Sequence, residues 1–494
     1  MQRRGFLMAT GAGLITAGRS PFPVGRPSRG GPDLTAILEP LRAKHGVPGA
    51  LVGVWVDGAA QVAAAGIANL NTGVPMTPDT AFLTGSITKV WTTTVVMTLV
   101  DQGKLDLDRP VRSYLPHFRV LDAKATEAIT VRQLLNHSSG IDAGDYLLEL
   151  GDGPAAHRQY VDLLAQVGQI HAPGAYSSYC NGGFILAGHL AEFVTGDSFD
   201  RLIRERIVKP LHLDRTVTDP SEALMHRLAV GSVPDGSRPG GHRAAARFSL
   251  PRSAAPAGST LITTIEDQLA FAAMHLNRGV GPSRSAVLST ASATAMATRT
   301  IGRPTGAGGY GLGWGVTGRP GDTRLSHSGG SNGGIAQLVL FPERRIAFAS
   351  FANSSSSYGF HAELQQAVLA AVGVAPAPRP AATAPAAPAG APLDPARVIG
   401  GYRRKSERTT IEVDGSRFMA DVATIAEEFH GSESYNDGQA RRFEVVASGP
   451  SQLTSRDPVL LGQKMVYDFL EPRADGRFDL IYGAGRLARR AEPT

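Results

Sequence analysis

Apolar residues recur along positions 33–374 with two spacings, one typical of helices and the other of strands. After Ser86 they fall at positions 87, 90, 91, 95, 97 and 99, which predicts a largely buried helix that begins near this serine. The run IAQLVLF at 335–341 alternates in the manner of a strand. No repeat of fixed period is visible in this part of the chain. We therefore predict one folded unit of mixed helices and strands over 33–374.

A change of composition marks the end of that unit. Residues 375–395 hold seven prolines and nine alanines in 21 positions, and such a stretch forms an extended spacer rather than a core. Over 396–494 short alternating runs return, one of them before the turn dipeptide Asp414-Gly415. The runs lie at 410–413, 443–447, 465–470 and 478–482. Alternation with Asp-Gly at a turn predicts antiparallel strands, and hence a small β-rich C-terminal domain.

The first thirty residues have the composition of an export signal. Arg3 and Arg4 precede a weakly apolar stretch that runs to Ala17, and a short cationic region before such a stretch is the form of a secretory signal. The arginine pair followed by Gly-Phe-Leu resembles a twin-arginine signal. An unstructured basic N-terminus is the alternative. We predict a periplasmic or secreted, cell-envelope protein with residues 1–30 as its signal segment.

Composition narrows the range of functions. The 494 residues carry 49 Lys and Arg against 43 Asp and Glu, a net charge of +6, without a block of basic residues that would favour nucleic acid as a partner. No apolar run approaches about 18 residues, which excludes a polytopic membrane protein. The single cysteine, Cys180, excludes internal disulfides and cysteine-rich metal sites. The thirteen histidines show no metal-ligand spacing, so we predict neither a metal nor another cofactor.

The candidate nucleophile is Ser86, at the start of the predicted helix. Lys89 follows three residues later, and residues three apart share one face of a helix. A buried lysine loses hydration, its pKa falls, and its neutral amine can accept the proton of a serine hydroxyl. The N-terminus of the helix also directs backbone N–H groups towards a developing oxyanion. A serine that only caps the helix, with the lysine present by chance, is the alternative interpretation.

Two further motifs lie downstream. The triplet Tyr-Cys-Asn at 179–181 would place its outer side chains on one side of an extended segment, with the thiol turned away to pack. The triplet His-Ser-Gly at 327–329 precedes the alternating strand, and glycines at a strand edge let a substrate backbone approach closely. A core tyrosine, a turn asparagine and a flexible glycine loop are the structural alternatives.

The three motifs Ser-x-x-Lys, Tyr-x-Asn and His-x-Gly, in that order, resemble those of the serine β-lactamase and D,D-peptidase superfamily. The resemblance is to the branch with class C β-lactamases, D-alanyl-D-alanine carboxypeptidases, D-aminopeptidases and related esterases. Several connecting segments also look like that branch, and the match covers residues 33–374. These segments are GKLDLDRPVRSYLP (103–116), ITVRQLLNHSSGI (129–141), IVKPLHLDRT (207–216), PAGSTLITTIEDQLAF (256–271) and YGLGW (310–314).

The resemblance implies a fold and an activity. The expected fold class is α/β of the α+β type, with an antiparallel sheet flanked by helices, a helical subdomain, and the small β-rich domain, which would be lipocalin-like. The expected activity is hydrolysis of a peptide, amide or ester substrate through an acyl-enzyme. The resemblance implies D-amino-acid peptides or amides, or esters, as the substrate, with cell-wall-derived peptides among the candidates, and it implies no cofactor.

The resemblance also implies a role for each site residue. Ser86 would be the nucleophile, Lys89 and Tyr179 would share the general-base work, and Tyr179 would then protonate the leaving group. Asn181 would orient Lys89 and the acyl side chain. The backbone N–H groups of Ser86 and Gly330 would form the oxyanion hole.

One motif departs from the β-lactamase pattern. His327-Ser328-Gly329 stands where β-lactamases of this branch carry Lys-Thr-Gly, and histidine there is more usual among peptidases and esterases. An imidazole that titrates near about 6.5 is mostly neutral at pH 7 and holds a substrate carboxylate less strongly than an ammonium group does. We therefore predict a peptidase or esterase; the alternatives are a class C-like β-lactamase and a non-hydrolytic penicillin-binding sensor that is acylated once.

The charge of His327 leads to a pH expectation. If this side chain anchors a substrate carboxylate, the preference for carboxylate-bearing β-lactams should strengthen as the pH falls from about 8 to about 6. In the same way, a lysine in its place should raise acylation by such β-lactams about tenfold relative to neutral esters.

Ser331 is a competing candidate nucleophile, because residues 329–333 match the G-x-S-x-G pattern of α/β-hydrolases. That pattern requires a turn from a strand into a helix. The residues that follow Ser331 alternate like a strand, so we reject the interpretation of Ser331 as the nucleophile.

The spacer also carries an expectation. Because Pro-Ala spacers make few tertiary contacts, a chain cut within 375–395 should leave a soluble core that still turns over small esters.

Overall fold

The structure of the chain is a computed structural model. It describes residues 31–238, 240–374, 393–425, 440–459 and 463–491. The predicted signal segment and most of the predicted spacer lie outside these ranges. Within them, no helix combines the length and the apolar character that a membrane crossing requires.

An antiparallel sheet forms the centre of the first unit. Within the described residues it has nine strands in the order β3-β2-β1-β13-β12-β11-β10-β9-β8. The strands of this unit are β1 (Gly49–Val56), β2 (Ala59–Asn69), β3 (Val74–Pro75), β4 (Phe82–Leu83), β5 (Ser232–Pro234), β6 (His242–Ala244), β7 (Ile262–Thr263), β8 (Ile301–Gly302), β9 (Gly309–Tyr310), β10 (Gly315–Arg319), β11 (Asp322–Ser331), β12 (Gly334–Phe341) and β13 (Ile346–Ala352). Every residue of β13 is buried, because helices cover both faces of the sheet.

Helices surround this sheet and build a helical region beside it. They are α1 (Leu34–Lys44), α2 (Thr88–Asp101), α3 (Ala123–Ala128), α4 (Val131–Leu135), α5 (Gly153–Leu163), α6 (Asn181–Thr195), α7 (Phe199–Ile203), α8 (Lys209–Leu211), α9 (Ile265–Leu276), α10 (Thr290–Ala297) and α11 (Tyr358–Ala371). A π-helical turn, Arg204–Val208, joins α7 to α8.

The core lies in two layers on the two sides of the sheet. On one side, Leu38 of α1 and Phe360 of α11 pack with Phe348 of β13. On the other side, α2, α6 and α9 form the larger core, in which Trp91 of α2 stacks on Phe271 of α9 with 4.0 Å between ring centroids. Helix α2 is buried along nearly its whole length. The burial fixes the position of α2, and α2 in turn fixes the position of the residues immediately before Thr88.

The C-terminal unit is a closed barrel preceded by the short helix α12 (Pro395–Val398). Each strand pairs with the next in sequence, and β21 pairs with β14 to close an eight-stranded barrel within the described part of the chain. The strands are β14 (Gly400–Arg404), β15 (Glu407–Asp414), β16 (Arg417–Thr424), β17 (Arg441–Gly449), β18 (Gln452–Ser455), β19 (Val466–Pro472), β20 (Phe478–Gly483) and β21 (Arg486–Arg490).

The observed architecture confirms the predicted fold class. The four alternating runs beyond the spacer lie in β15, β17, β19 and β20, and Asp414 pairs with Arg417 across the predicted turn. Ser331 lies at the end of β11 in a hairpin with β12, so no strand-to-helix turn exists at this serine. The helix predicted to begin near Ser86 starts with a 3₁₀ turn, Gly85–Ile87, and becomes α-helical at Thr88.

Candidate active site

Ser86 lies in the 3₁₀ turn that leads into α2. The turn is held by Thr88, whose hydroxyl donates to the Gly85 carbonyl at 2.7 Å. Gly85 has φ +57°, a left-handed conformation that glycine adopts without steric cost. Ser86 is half-buried among buried neighbours and lines a cavity of about 300 Å³. Its hydroxyl is therefore presented to the cavity from a rigid support.

Lys89 is fully buried one turn further along. Its Nζ lies 3.2 Å from Ser86 Oγ and donates to the Ala257 carbonyl at 2.5 Å. Burial lowers the pKa of Lys89 well below its usual value, and the positive charge of Arg486 lowers it further. A neutral amine at this distance is placed to accept the Ser86 proton.

The motif at 179–181 approaches from the start of α6. The Tyr179 ring lies 4.9 Å from Lys89 Nζ. Asn181 lines the same cavity, and its Nδ2 donates to the Gly144 carbonyl at 2.7 Å. Cys180 is buried between them, its Sγ accepts from Gly183 N, and burial raises the pKa of the thiol to about 11. The thiol thus packs and caps the helix.

Strand β11 forms the opposite wall and approaches the nucleophile turn at its glycines. A Cβ on Gly329 would lie 1.8 Å from the Thr84 carbonyl oxygen and 3.0 Å from Ser86 N. A Cβ on Gly85 would lie 2.7 Å from Gly330 N. The backbones of the turn and the strand are therefore as close as they are because both positions lack a side chain.

His327 faces the cavity from the same strand. Its ring centroid lies 6.2 Å from that of Tyr179, and its Nδ1 lies 2.7 Å from the Ser328 carbonyl oxygen. Burial and the nearby Lys89 lower the pKa of His327 to about 3. The imidazole is therefore neutral at physiological pH and donates from Nδ1 to that carbonyl.

The structure brings all the predicted site residues together. Ser86, Tyr179, Asn181, His327 and Gly330 line the cavity. Lys89 lies behind the serine and Gly329 touches its turn. Among the described residues, no group of three or more His, Cys, Asp or Glu side chains is arranged to hold a metal ion.

The barrel contributes to the same cavity, which the sequence motifs did not predict. Arg486, at the start of β21, holds its guanidinium 4.9 Å above the Tyr179 ring and donates to Asp145 at 2.5 Å. The Gly485 carbonyl accepts from Tyr179 N at 3.0 Å, and Leu487 N donates to the Ser178 hydroxyl at 3.0 Å. The β20–β21 hairpin therefore fixes the backbone of the tyrosine motif.

His137 is a second site residue that the motifs did not predict. It stacks on Tyr179 with 4.3 Å between ring centroids, and its Nδ1 accepts from Cys180 N at 3.1 Å. Burial lowers the pKa of His137 well below its usual value, so the neutral ring carries its proton on Nε2. The sequence offered one indication of this role, because His137 lies within the segment 129–141, which looks like the corresponding segment of the resembling branch.

This fold and site agree with the family comparison. The Beta-lactamase family model matches residues 34–373, and the chain therefore belongs to the β-lactamase family of serine hydrolases, as its motifs predicted. Penicillin-binding protein 4 of Amycolatopsis lactamdurans is 38% identical over 373 residues, which is 74% of this chain and 96% of that protein.

Two solved structures extend the comparison. SurE has a TM-score of 0.73 at 26% identity and covers 93% of this chain and 98% of its own, so the match reaches into the barrel; the structure of SurE with D-Leu scores 0.70. A D-amino acid amidase from Ochrobactrum anthropi shares the fold at a TM-score of 0.57 and 22% identity, over 69% of this chain and 99% of its own.

Proposed function

We propose that this protein is an exported serine hydrolase that acts through an acyl-enzyme on Ser86. The observation that carries the proposal is the Lys89 amine, which is buried, has a pKa well below its usual value and lies 3.2 Å from Ser86 Oγ. Ser86 Oγ attacks the carbonyl carbon of a peptide, amide or ester while its proton passes to Lys89. Tyr179 protonates the leaving group, and water then releases the acyl group.

The developing oxyanion faces backbone donors in this scheme. The N–H groups of Ser86 and Gly330 serve as the oxyanion hole, which is worth several kcal/mol in acyl transfer. The close fit of β11 against the nucleophile turn supports this assignment, since glycine at 329 keeps Ser86 and the strand backbone in contact.

For the substrate we propose a peptide, amide or ester with a D-amino acid residue at the scissile bond, including cell-wall-derived peptides. Two of the similar structures, SurE with D-Leu and a D-amino acid amidase, support a D-configured residue. The cavity is lined by two guanidinium groups, Arg303 and Arg486, against one carboxylate, Asp145. The excess positive charge favours a substrate with an anionic group near the reacting carbonyl.

The nucleophile is tested with Ser86→Ala and a fluorescent phosphonate. We expect the variant to lose both turnover and covalent labelling, because Ser86 Oγ is the acyl acceptor. Ser331→Ala is the matched control and should label like the parent, since that serine is buried in the β11–β12 hairpin. Labelling that persists in Ser86→Ala and disappears in the control would transfer the nucleophile to Ser331.

The reaction class is tested by comparing turnover of nitrocefin, D-amino-acid amides, D-Ala-D-Ala peptides and short-chain esters. A peptidase or esterase continues to turn over an amide or ester after the first equivalent of product. A burst of one equivalent followed by silence would indicate a penicillin-binding sensor, and fastest turnover of nitrocefin would indicate a β-lactamase.

A further inference from the structure

The barrel encloses a second cavity, of about 110 Å³, beside the active site. Much of its wall is apolar, from the inward faces of the strands. The apolar lining includes Val422, Phe443, Val459, Met465, Ile481 and Ala488. For comparison, an engineered apolar cavity of about 150 Å³ holds a benzene molecule. A branched aliphatic group of about five carbons therefore fits.

Buried polar atoms of three residues on this wall, Tyr467, Arg404 and Arg486, have no hydrogen-bond partner among the described residues. Tyr467 is 3% exposed, and its hydroxyl has no hydrogen-bond partner among the described residues. Arg404 is 7% exposed; it bonds Glu407 at 2.7 Å and approaches Asp145 to 3.3 Å, yet its Nε finds no partner within the same ranges. Buried polar groups are normally hydrogen-bonded, so several unsatisfied donors on one small cavity indicate an acceptor that enters it.

The charged residues that line this cavity indicate which kind of hydrogen-bond acceptor would bind in it. Three arginines line the cavity against two carboxylates, and their formal charges leave one excess positive charge. These are Arg404, Arg441 and Arg486, with Asp145 and Glu407. A desolvated guanidinium binds a carboxylate more strongly than a neutral carbonyl.

We propose that the barrel interior is a binding site, separate from the reaction cavity, for a small carboxylate with a branched aliphatic tail. The carboxylate accepts from Arg404 and Tyr467, and the tail packs against the apolar strand faces. Asp145 and Arg486 line both cavities, so their ion pair forms part of the wall between the two sites.

The test is calorimetric titration of the full chain with 4-methylpentanoate and with its neutral analogue 4-methylpentanamide. We expect the acid to bind at least tenfold more tightly than the amide. Val422→Phe, which fills the cavity, should abolish binding, and Tyr467→Phe, which removes only the unsatisfied hydroxyl, should weaken it about threefold. Val413→Phe is the matched control, because Val413 is 41% exposed on β15 and should bind like the parent.

Three results would overturn the proposal. One is equal affinity for the acid and the amide, and another is unchanged affinity in Val422→Phe when its melting temperature matches that of the control. The third is competitive inhibition of ester turnover that persists in Val422→Phe, because this would place the acid in the reaction cavity. The two calorimetric measurements do not depend on whether Ser86 is the nucleophile, so they can fail or succeed separately from the proposed function.

Discussion

Burial lowers the pKa values of the titratable side chains around Ser86. Lys89, His137 and His327 all have pKa values below their usual range, with desolvation as the largest cause in each. The fixed charges of the cavity are therefore those of Arg303, Arg486 and Asp145, and Asp145 offsets the charge of Arg486, with which it pairs. A substrate carboxylate would be attracted by the remaining positive charge. The lowered pKa of Lys89 favours the neutral amine that accepts the Ser86 proton.

His327 carries a prediction that corrects the expectation drawn from its free pKa. The ratio of acylation rates for a carboxylate-bearing β-lactam and a neutral ester should stay constant between about pH 6 and 8. The reason is that burial holds the pKa of His327 at about 3, so its charge does not change over that range. Stopped-flow acylation at several pH values measures the ratio. A ratio that grows severalfold towards pH 6 would show that the imidazole titrates there.

At the residue scale, the sequence predicted the contacts that follow from local spacing along one element. Ser86 and Lys89 could be paired because three residues along a helix bring them to one face. Asp145 and Arg486 are 341 positions apart, and neither segment contains a pattern that predicts their contact. The pKa of His327 could not be predicted for the same reason, since its environment is built from several distant elements.

Two elements meet at the nucleophile: the 3₁₀ turn before α2 and strand β11. Their contact depends on the absence of side chains, since a Cβ on Gly329 would lie 1.8 Å from the Thr84 carbonyl oxygen. Alternation along the sequence predicted β12 and the barrel strands well, because each strand has one face in a core. Alternation did not predict the closure of the barrel by β21 and β14, since closure depends on the twist of the whole sheet; only the resemblance implied it, through a lipocalin-like domain.

Gly329→Ala tests this contact. We expect kcat/KM for small esters to fall by about two orders of magnitude or more, because the added methyl group separates β11 from the nucleophile turn and misplaces the oxyanion donors. Gly302→Ala, on β8 of the same sheet, is the control, since its Cβ would meet nothing within 4 Å. Parent-like kinetics in Gly329→Ala, with the protein folded, would show that the strand can move without cost.

At the scale of the whole molecule, charged side chains are buried where the barrel meets the first unit. Asp142 is enclosed where the two units meet, with Arg404 and Lys405 of the barrel nearby, and burial raises its pKa to about 7. Hydrophobic contacts reinforce the interface, where Ile170 and Tyr176 pack against Leu480 and Leu487. Removal of the barrel would expose these groups to water, and that a chain cut within 375–395 leaves a soluble core that turns over small esters stays a prediction.

Asp142 predicts how stability depends on pH. Its folded pKa of about 7 lies above the ordinary value of 3.8, so the folded state binds this proton more tightly and the stabilisation is lost as the pH rises towards 7. Asp142→Asn should remove this loss, gaining about 2–4 kcal/mol relative to the parent between pH 4 and pH 8. Urea unfolding at both pH values measures it, with the exposed Asp214→Asn as control. Parallel pH profiles for the parent and Asp142→Asn would refute the assignment.

The barrel also acts on the active site through Arg486. Its guanidinium is the second largest cause of the lowered pKa of Lys89, and its hairpin bonds the backbone of Tyr179. A chain that ends at residue 374 would lack both effects. The truncated chain does not separate these two effects, however, because truncation also exposes the hydrophobic interface.

Arg486→Met separates the electrostatic effect from the structural one. Without the guanidinium the pKa of Lys89 rises, and Asp145, which favours the charged amine, loses one of its two arginine partners and keeps only Arg404. The acid limb of the pH profile of kcat/KM for a neutral ester should therefore move to higher pH by about one unit, because a smaller fraction of Lys89 is neutral at a given pH. Arg489→Met is the matched control: Arg489 is on the same strand, its side chain is 50% exposed, and its profile should coincide with that of the parent. A neutral ester is used so that loss of a carboxylate contact does not enter the measurement. If the limb stays in place while kcat/KM falls uniformly, Arg486 positions Tyr179 and does not tune the base.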